Sequence, residues 1–160
     1  MLKMALTLAA ALCATAAAAQ TVRLTSLDGS SRILTMADVA AMPHEAVTLH
    51  TEAGQAIEYR GVALATVLES VGAPLGKAMR GKEMADIVVV TARDGYRVVL
   101  ALSDIDPAMR DEKVILADSA AGASLNEHDG PLRLVVEGDH RPARSERMVS
   151  DIAIVRAPAP

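Results

Sequence analysis

The sequence predicts an α+β domain built mostly from mixed β-sheet, with a few short helices. Apolar residues fall mainly in short runs separated by glycine, proline or Asp-Gly turns, which is typical of many short strands. Only two stretches are predicted to be helical, residues 35–42 and 64–71. The chain contains no Phe and no Trp, so its core must be built from Val, Leu, Ile, Met and Ala.

Turn and capping residues define the first hairpin and the first helix. Residues 21–27 alternate in polarity and end at an Asp-Gly turn, so residues 31–36 are predicted to return as the partner strand. Thr35 is expected to cap the helix, because Asp38 stands three residues later as in a capping box. The helix is expected to end before Pro43.

A second hairpin is predicted to precede the second helix. Residues 45–52 and 57–59 are expected to form its strands, with Gly54 in the turn. The apolar residues of 64–71 then recur at helical spacing, and Gly72 is expected just beyond the end of this helix.

The second half of the chain predicts strands joined by turns and loops. Residues 86–92 form a continuous apolar run, which indicates a strand buried on both faces. An Asp-Gly turn should join this strand to residues 96–102, and Ser103 should begin a short helical turn. Further strands are expected at 113–117, 131–136 and 148–157.

Residues 1–19 are predicted to be a secretory signal peptide, and residues 20–160 a single domain. Lys3 precedes a short apolar run, and the small residues Ala17 to Ala19 precede the expected cleavage before Gln20. The apolar run is too short to be a good membrane span. Residues 1–19 contain no arginine, so no twin-arginine signal is present. We therefore expect export by the general secretory route, with a periplasmic location.

Composition and missing motifs argue against several functions. The chain carries a formal net charge of −4 and only two aromatic residues, Tyr59 and Tyr96, which predicts no nucleic-acid binding. It has no phosphate-binding glycine motif and no G-x-S-x-G elbow. The only cysteine, Cys13, lies in the predicted leader, so the exported chain would have no thiolate ligand.

The histidines predict no metal site. His44, His50, His128 and His140 lack the spacing of a helical zinc pair, and no H-E-x-x-H motif is present. We therefore expect four scattered surface histidines.

One loop carries a concentration of positive charge, and we call residues 137–147, "EGDHRPARSER", the basic loop. Arg141, Arg144 and Arg147 recur at a spacing of three beside His140, and arginine forks suit phosphate or carboxylate oxygens. The alternative is a solvated loop whose arginines pair with its own acidic residues. Those acidic residues are Glu137, Asp139 and Glu146.

Four segments together resemble the molybdopterin-binding oxidoreductase family, which has the sulfite-oxidase fold. They are "YRGVALATVLESVG" (59–72), "ARDGYRVVLALSDI" (92–105), "KVILADSAAGASLNEHDGPLRLVVEGD" (113–139) and "RPARSERMVSDIAIV" (141–155). The resemblance covers residues 45–155, and its "DGPLRLVV" run with the spacing to "ILA" is the most specific part. It implies a sulfite-oxidase-type fold for the whole of the predicted domain.

The resemblance also suggests where the site lies and how it departs from the family. In catalytic relatives the basic loop contacts the pterin cofactor and its phosphate, and Arg141 and Arg144 fall on its two lysine positions. A His-Cys pair in those relatives supplies the thiolate that binds molybdenum, and here the matching pair is His50-Thr51. Thr51 is therefore expected to be a degenerate metal-ligand position, because a threonine hydroxyl is a poor anionic ligand.

Three functions remain open from the sequence. The first is a non-catalytic domain without cofactor, which binds an anionic small molecule or a protein partner near Arg141, Arg144 and His140. The second is an active oxidoreductase that binds molybdopterin, the cofactor implied by the resemblance, without a cysteine ligand. The third is a structural partner of a membrane redox or sensory complex, which uses a sheet edge or the hairpin at Gly54.

Overall fold

The computed structural model describes residues 20–50 and 54–157, which form ten strands, two short helices and several 3₁₀ turns. The helices are α1 (Met36–Ala41) and α2 (Leu64–Glu69). The strands are β1 (Thr21–Thr25), β2 (Ser31–Thr35), β3 (His44–His50), β4 (Ala56–Ala63), β5 (Asp86–Ala92), β6 (Arg97–Ala101), β7 (Val114–Ala120), β8 (Ala123–Ser124), β9 (Arg133–Val136) and β10 (Val149–Arg156). The expected α+β architecture is confirmed.

The strands form two sheets, and the first of them is mixed. Its order is β2-β1-β10-β5-β6, so the last strand of the chain lies in the centre. The pairing of β1 with β10 is parallel, whereas β2 with β1, β10 with β5 and β5 with β6 pair antiparallel. The hairpins predicted at the two Asp-Gly turns, β1–β2 and β5–β6, are both confirmed.

The second sheet is antiparallel and has the order β3-β4-β7-β8, with β9 also paired to β7. The register of β4 against β7 shifts between Arg60 and Gly61, which marks a bulge. A Cβ atom at Gly61 would lie 2.2 Å from the carbonyl oxygen of Leu116 and 2.4 Å from the Cα of Ala117. Only glycine therefore allows the two backbones to approach this closely.

Two apolar clusters lie on the two faces of the second sheet. The larger cluster includes residues of both sheets and of both helices, among them Leu24, Leu68, Leu116 and Ile152. The smaller cluster consists of Val47, Leu49, Tyr59, Ile115, Ala117 and Val135. Successive residues of a strand point to opposite faces, so β7 supplies Leu116 to one cluster and Ile115 and Ala117 to the other.

The expectation that residues 86–92 are buried on both faces is wrong. In β5 fully buried residues alternate with half-buried ones, so one face packs in the core and the other remains partly exposed. The strand buried on both faces is β7, whose first four residues, Val114 to Ala117, are all buried.

Local capping gives α1 the boundaries that the sequence predicts. The hydroxyl of Thr35 accepts a hydrogen bond from the N–H of Asp38 at 3.1 Å, and the Asp38 carboxylate accepts from the N–H of Thr35 at 2.8 Å. This reciprocal pair is the predicted capping box. Beyond α2, Gly72 has a positive φ of 77°, as expected for a residue just past a helix end.

Two predictions fall outside the described residues: the signal peptide at 1–19 and the Thr51 position. Within the part of the chain that the structure describes, no helix is both long and apolar enough to cross a membrane.

Candidate functional site

The basic loop joins β9 to β10 and contains a 3₁₀ turn at Pro142–Arg144. Within it, Arg144 donates two hydrogen bonds to the carboxylate of Asp139, from Nε at 2.9 Å and from Nη2 at 2.5 Å. This bidentate pair raises the pKa of Arg144 above its ordinary value. Two of the three guanidinium nitrogens of Arg144 are therefore occupied within the loop, and Nη1 remains.

His140 and Arg141 are both exposed. Among the described residues, neither side chain has a hydrogen-bonding or ion-pair partner. The structure thus places the three predicted anion-binding residues in one loop, with two free side chains beside one that is held by Asp139.

Below the basic loop lies a cleft of about 340 Å³. The loop, the β5–β6 turn and the start of β9 form its walls. It is lined by Ala92, Asp94, Tyr96, Arg133, Pro142, Ala143, Ser145, Glu146 and Arg147. Two hydrogen bonds position the loop over it: the Tyr96 hydroxyl donates to the carbonyl of Ala143 at 3.1 Å, and the N–H of Val136 donates to Oγ of Ser145 at 3.0 Å.

The most unusual group in the cleft is the carboxyl of Glu146. The residue is only 4% exposed, and neither carboxyl oxygen has a hydrogen-bonding partner. The N–H of Ala92 lies near this carboxyl and lowers its pKa somewhat, but it is already donated to the carbonyl of Tyr96 at 2.9 Å. Burial is the dominant effect, and with the nearby Asp94 carboxylate it raises the pKa of Glu146 to about 7.

Arg133 lies in the same cleft and is also incompletely satisfied. Its Nη1 donates to the carboxylate of Asp129 at 2.9 Å, and its guanidinium lies 5.1 Å from the centre of the Tyr59 ring. Its Nε is buried and has no hydrogen-bonding partner. The cleft therefore contains one free buried donor, Arg133 Nε, and two free buried acceptors, the oxygens of Glu146.

The three acidic residues of the basic loop differ in whether they pair with its arginines. Asp139 does pair with Arg144, whereas Glu137 instead accepts a hydrogen bond from the N–H of Lys113 at 2.7 Å. Glu146 pairs with nothing among the described residues. Its burial depends on how β9 and β10 bring the loop back onto the sheet, so no local sequence signal could have identified it.

His44 is not the surface residue that the sequence predicts, although His50, His128 and His140 are exposed. It is half-buried, with Nδ1 2.9 Å from the carbonyl oxygen of Met42 and Nε2 2.9 Å from the carboxylate of Asp118. Both neighbours are acceptors, so both ring nitrogens donate when the ring is an imidazolium. The bond to Asp118 accordingly raises the pKa of His44.

The fold defines the class of protein: a sulfite-oxidase-type molybdopterin-binding fold. The family model of the oxidoreductase molybdopterin binding domain matches residues 10–160, and this chain belongs to that family. No sequence among the curated proteins matches the chain.

Among solved structures, the chain is similar to the sulfane dehydrogenase SoxCD from Paracoccus pantotrophus. The TM-score is 0.63 and the sequence identity 21%, over 84% of this chain. The match spans only 38% of the sulfane dehydrogenase chain, so the likeness concerns the fold alone.

Proposed function

We propose that this chain is a non-catalytic member of the family, exported to the periplasm, which binds an anionic small molecule at the basic loop without a molybdenum centre. The observation that carries the proposal is that this chain combines two features. The chain contains no cysteine after Cys13, and the cleft beneath the loop has an unpaired buried carboxyl, Glu146.

The residues present do not fit a molybdenum cofactor. A protein thiolate suits a high-valent molybdenum centre, and residues 14–160 contain no thiol. The carboxyls of Asp94 and Glu146 also line the cleft and would repel an anionic group placed in its interior.

The remaining cations still suit an anion at the outer surface of the loop. Arg141 and His140 are exposed and unpaired, and Arg144 keeps Nη1 free beside them. A guanidinium can bind a phosphate or carboxylate through two parallel hydrogen bonds. The Arg144–Asp139 pair supports this use of the loop, because it holds the backbone between the two cations in one conformation.

The proposal is tested by titrating ethyl phosphate into the protein and measuring the heat of binding. We expect Arg141→Ala to weaken binding about tenfold, since each hydrogen bond to a charged group contributes about 1.5–3 kcal/mol. Arg80→Ala removes an exposed arginine outside the loop, so it is the matched control and should bind like the wild type. Equal affinities for wild type, Arg141→Ala and the double variant Arg141→Ala/Arg144→Ala would contradict an anion site here.

A further inference from the structure

The cleft beneath the basic loop offers hydrogen-bonding capacity that the protein itself does not use. A buried carboxylate without a partner is costly, so such groups are rare in folded proteins. Here both oxygens of Glu146 and the Nε of Arg133 are buried and free in the same cleft. A donor and two acceptors without partners in one cleft indicate a ligand that brings the complementary groups.

No other polar group of the cleft bonds to the carboxyl of Glu146. The hydroxyl proton of Tyr96 is donated to Ala143, and Oγ of Ser145 accepts from the N–H of Val136. The backbone N–H of Glu146 itself is donated to the carbonyl of Arg144, and its carbonyl accepts from Leu134. Among the described residues, no basic nitrogen lies within ion-pair distance of the Glu146 carboxyl.

The balance of charge in the cleft indicates the sign of the missing group. Arg133 is compensated by Asp129 at 2.9 Å, so its positive charge is already matched. Asp94 and Glu146 both contribute carboxyls, whereas Arg147 is the remaining cation of the lining and is exposed. The interior of the cleft therefore favours a cationic N–H group, and its exposed side, near Arg147, favours an anion.

We propose that the cleft binds a small zwitterion, with a cationic N–H group on the carboxyl of Glu146 in the interior and an anionic oxygen on Arg147 at the exposed side. The cleft volume of about 340 Å³ suits a ligand of this size. This inference rests on the proposed function and extends it from the outer surface of the basic loop to the cleft, where Arg147 of the same loop would hold the anionic end. It adds that Glu146 selects for a cationic nitrogen at the other end.

The test compares two probes that differ only in the ammonium group, 2-aminoethyl phosphate and ethyl phosphate. For the wild type we expect 2-aminoethyl phosphate to bind about tenfold more tightly at pH 8, the effect of one hydrogen bond to a charged group. Glu146→Gln should remove this preference while its affinity for ethyl phosphate stays within about threefold of the wild-type value. Glu127→Gln, at a glutamate whose side chain is 90% exposed, is the matched control and should keep the preference.

The preference should also depend on pH. Burial raises the pKa of Glu146 to about 7, so the carboxyl is mainly neutral at pH 5.5 and mainly ionised at pH 8. The charged or titratable groups that face it are Asp94 and Tyr96 of the β5–β6 hairpin, Arg133 of β9 and Arg147 of the loop. We expect the advantage of the ammonium probe to be smaller at pH 5.5 than at pH 8.

The outcomes separate the two proposals. Equal affinity for both probes, unchanged in Glu146→Gln, would overturn the zwitterion site and leave the anion site standing. Binding of neither probe would overturn the proposed function together with this inference. Loss of ethyl phosphate binding in Glu146→Gln, with an unchanged urea unfolding curve, would assign Glu146 to the anion site and contradict its selection of the cation.

Discussion

Glu146→Gln is expected to abolish a pH-dependent loss of stability that the wild type shows between about pH 4.5 and 7. The carboxyl has a pKa of about 7 in the folded protein and an ordinary value of 4.5. Below pH 4.5 it is protonated in both states and has no effect. Above that pH the unfolded chain releases its proton first, so the folded state loses relative stability until the folded carboxyl also ionises.

The shift corresponds to roughly 3 kcal/mol of unfolding free energy, because one pKa unit is worth about 1.4 kcal/mol. The measurement is urea unfolding of both proteins at pH 4, 5.5, 7 and 8, analysed as the difference between them. That difference cancels other titrations, including that of His44. We expect Glu146→Gln to gain relative to the wild type as the pH rises. A constant difference across the series would mean that the carboxyl is solvated or paired.

Gly61→Ala is expected to destabilise the protein by about 3 kcal/mol, the upper range for overpacking a buried site. The added Cβ would lie 2.2 Å from the carbonyl oxygen of Leu116 and 2.4 Å from the Cα of Ala117. These are backbone atoms of β7, which cannot move aside as the end of a flexible side chain could. The bulge between β4 and β7 would have to open, and with it the sheet that carries β9.

Gly72→Ala is the matched control for this change, and chemical denaturation is the measurement. A Cβ at Gly72 would meet nothing within 4 Å, but the residue has a φ of 77°. Its replacement should therefore cost only the conformational penalty, about 1 kcal/mol. Similar losses for the two variants would contradict a steric origin at Gly61.

Predictions that rest on neighbouring residues agree with the structure. The capping box of α1 joins Thr35 to Asp38, three residues apart, so the sequence contains every group involved. Gly72 ends the second helical stretch for the same local reason. The hairpins at the two Asp-Gly turns likewise need only the turn and its flanking strands.

Predictions that need the packing of distant elements do worse. A continuous apolar run does not reveal whether another element covers the second face of the strand. The apolar run of β5 therefore predicted burial on both faces, whereas the strand buried on both faces in the structure is β7. The sequence does not decide whether the arginines of the basic loop bind an anion or pair with its acidic residues. Arg144 pairs with Asp139, and this pairing depends on the 3₁₀ turn at Pro142–Arg144. The buried carboxyl of Glu146 depends on three separate elements and has no sequence signature.

The central claim is that this family member acts without a molybdenum centre. Its most direct test is the molybdenum content per chain, measured by elemental mass spectrometry, together with pterin fluorescence. The protein should be purified after export from a host that makes the cofactor. We expect a molybdenum content near zero and no pterin signal. About one molybdenum per chain, retained through purification and accompanied by pterin, would show that the domain holds the cofactor without a cysteine and would contradict the account.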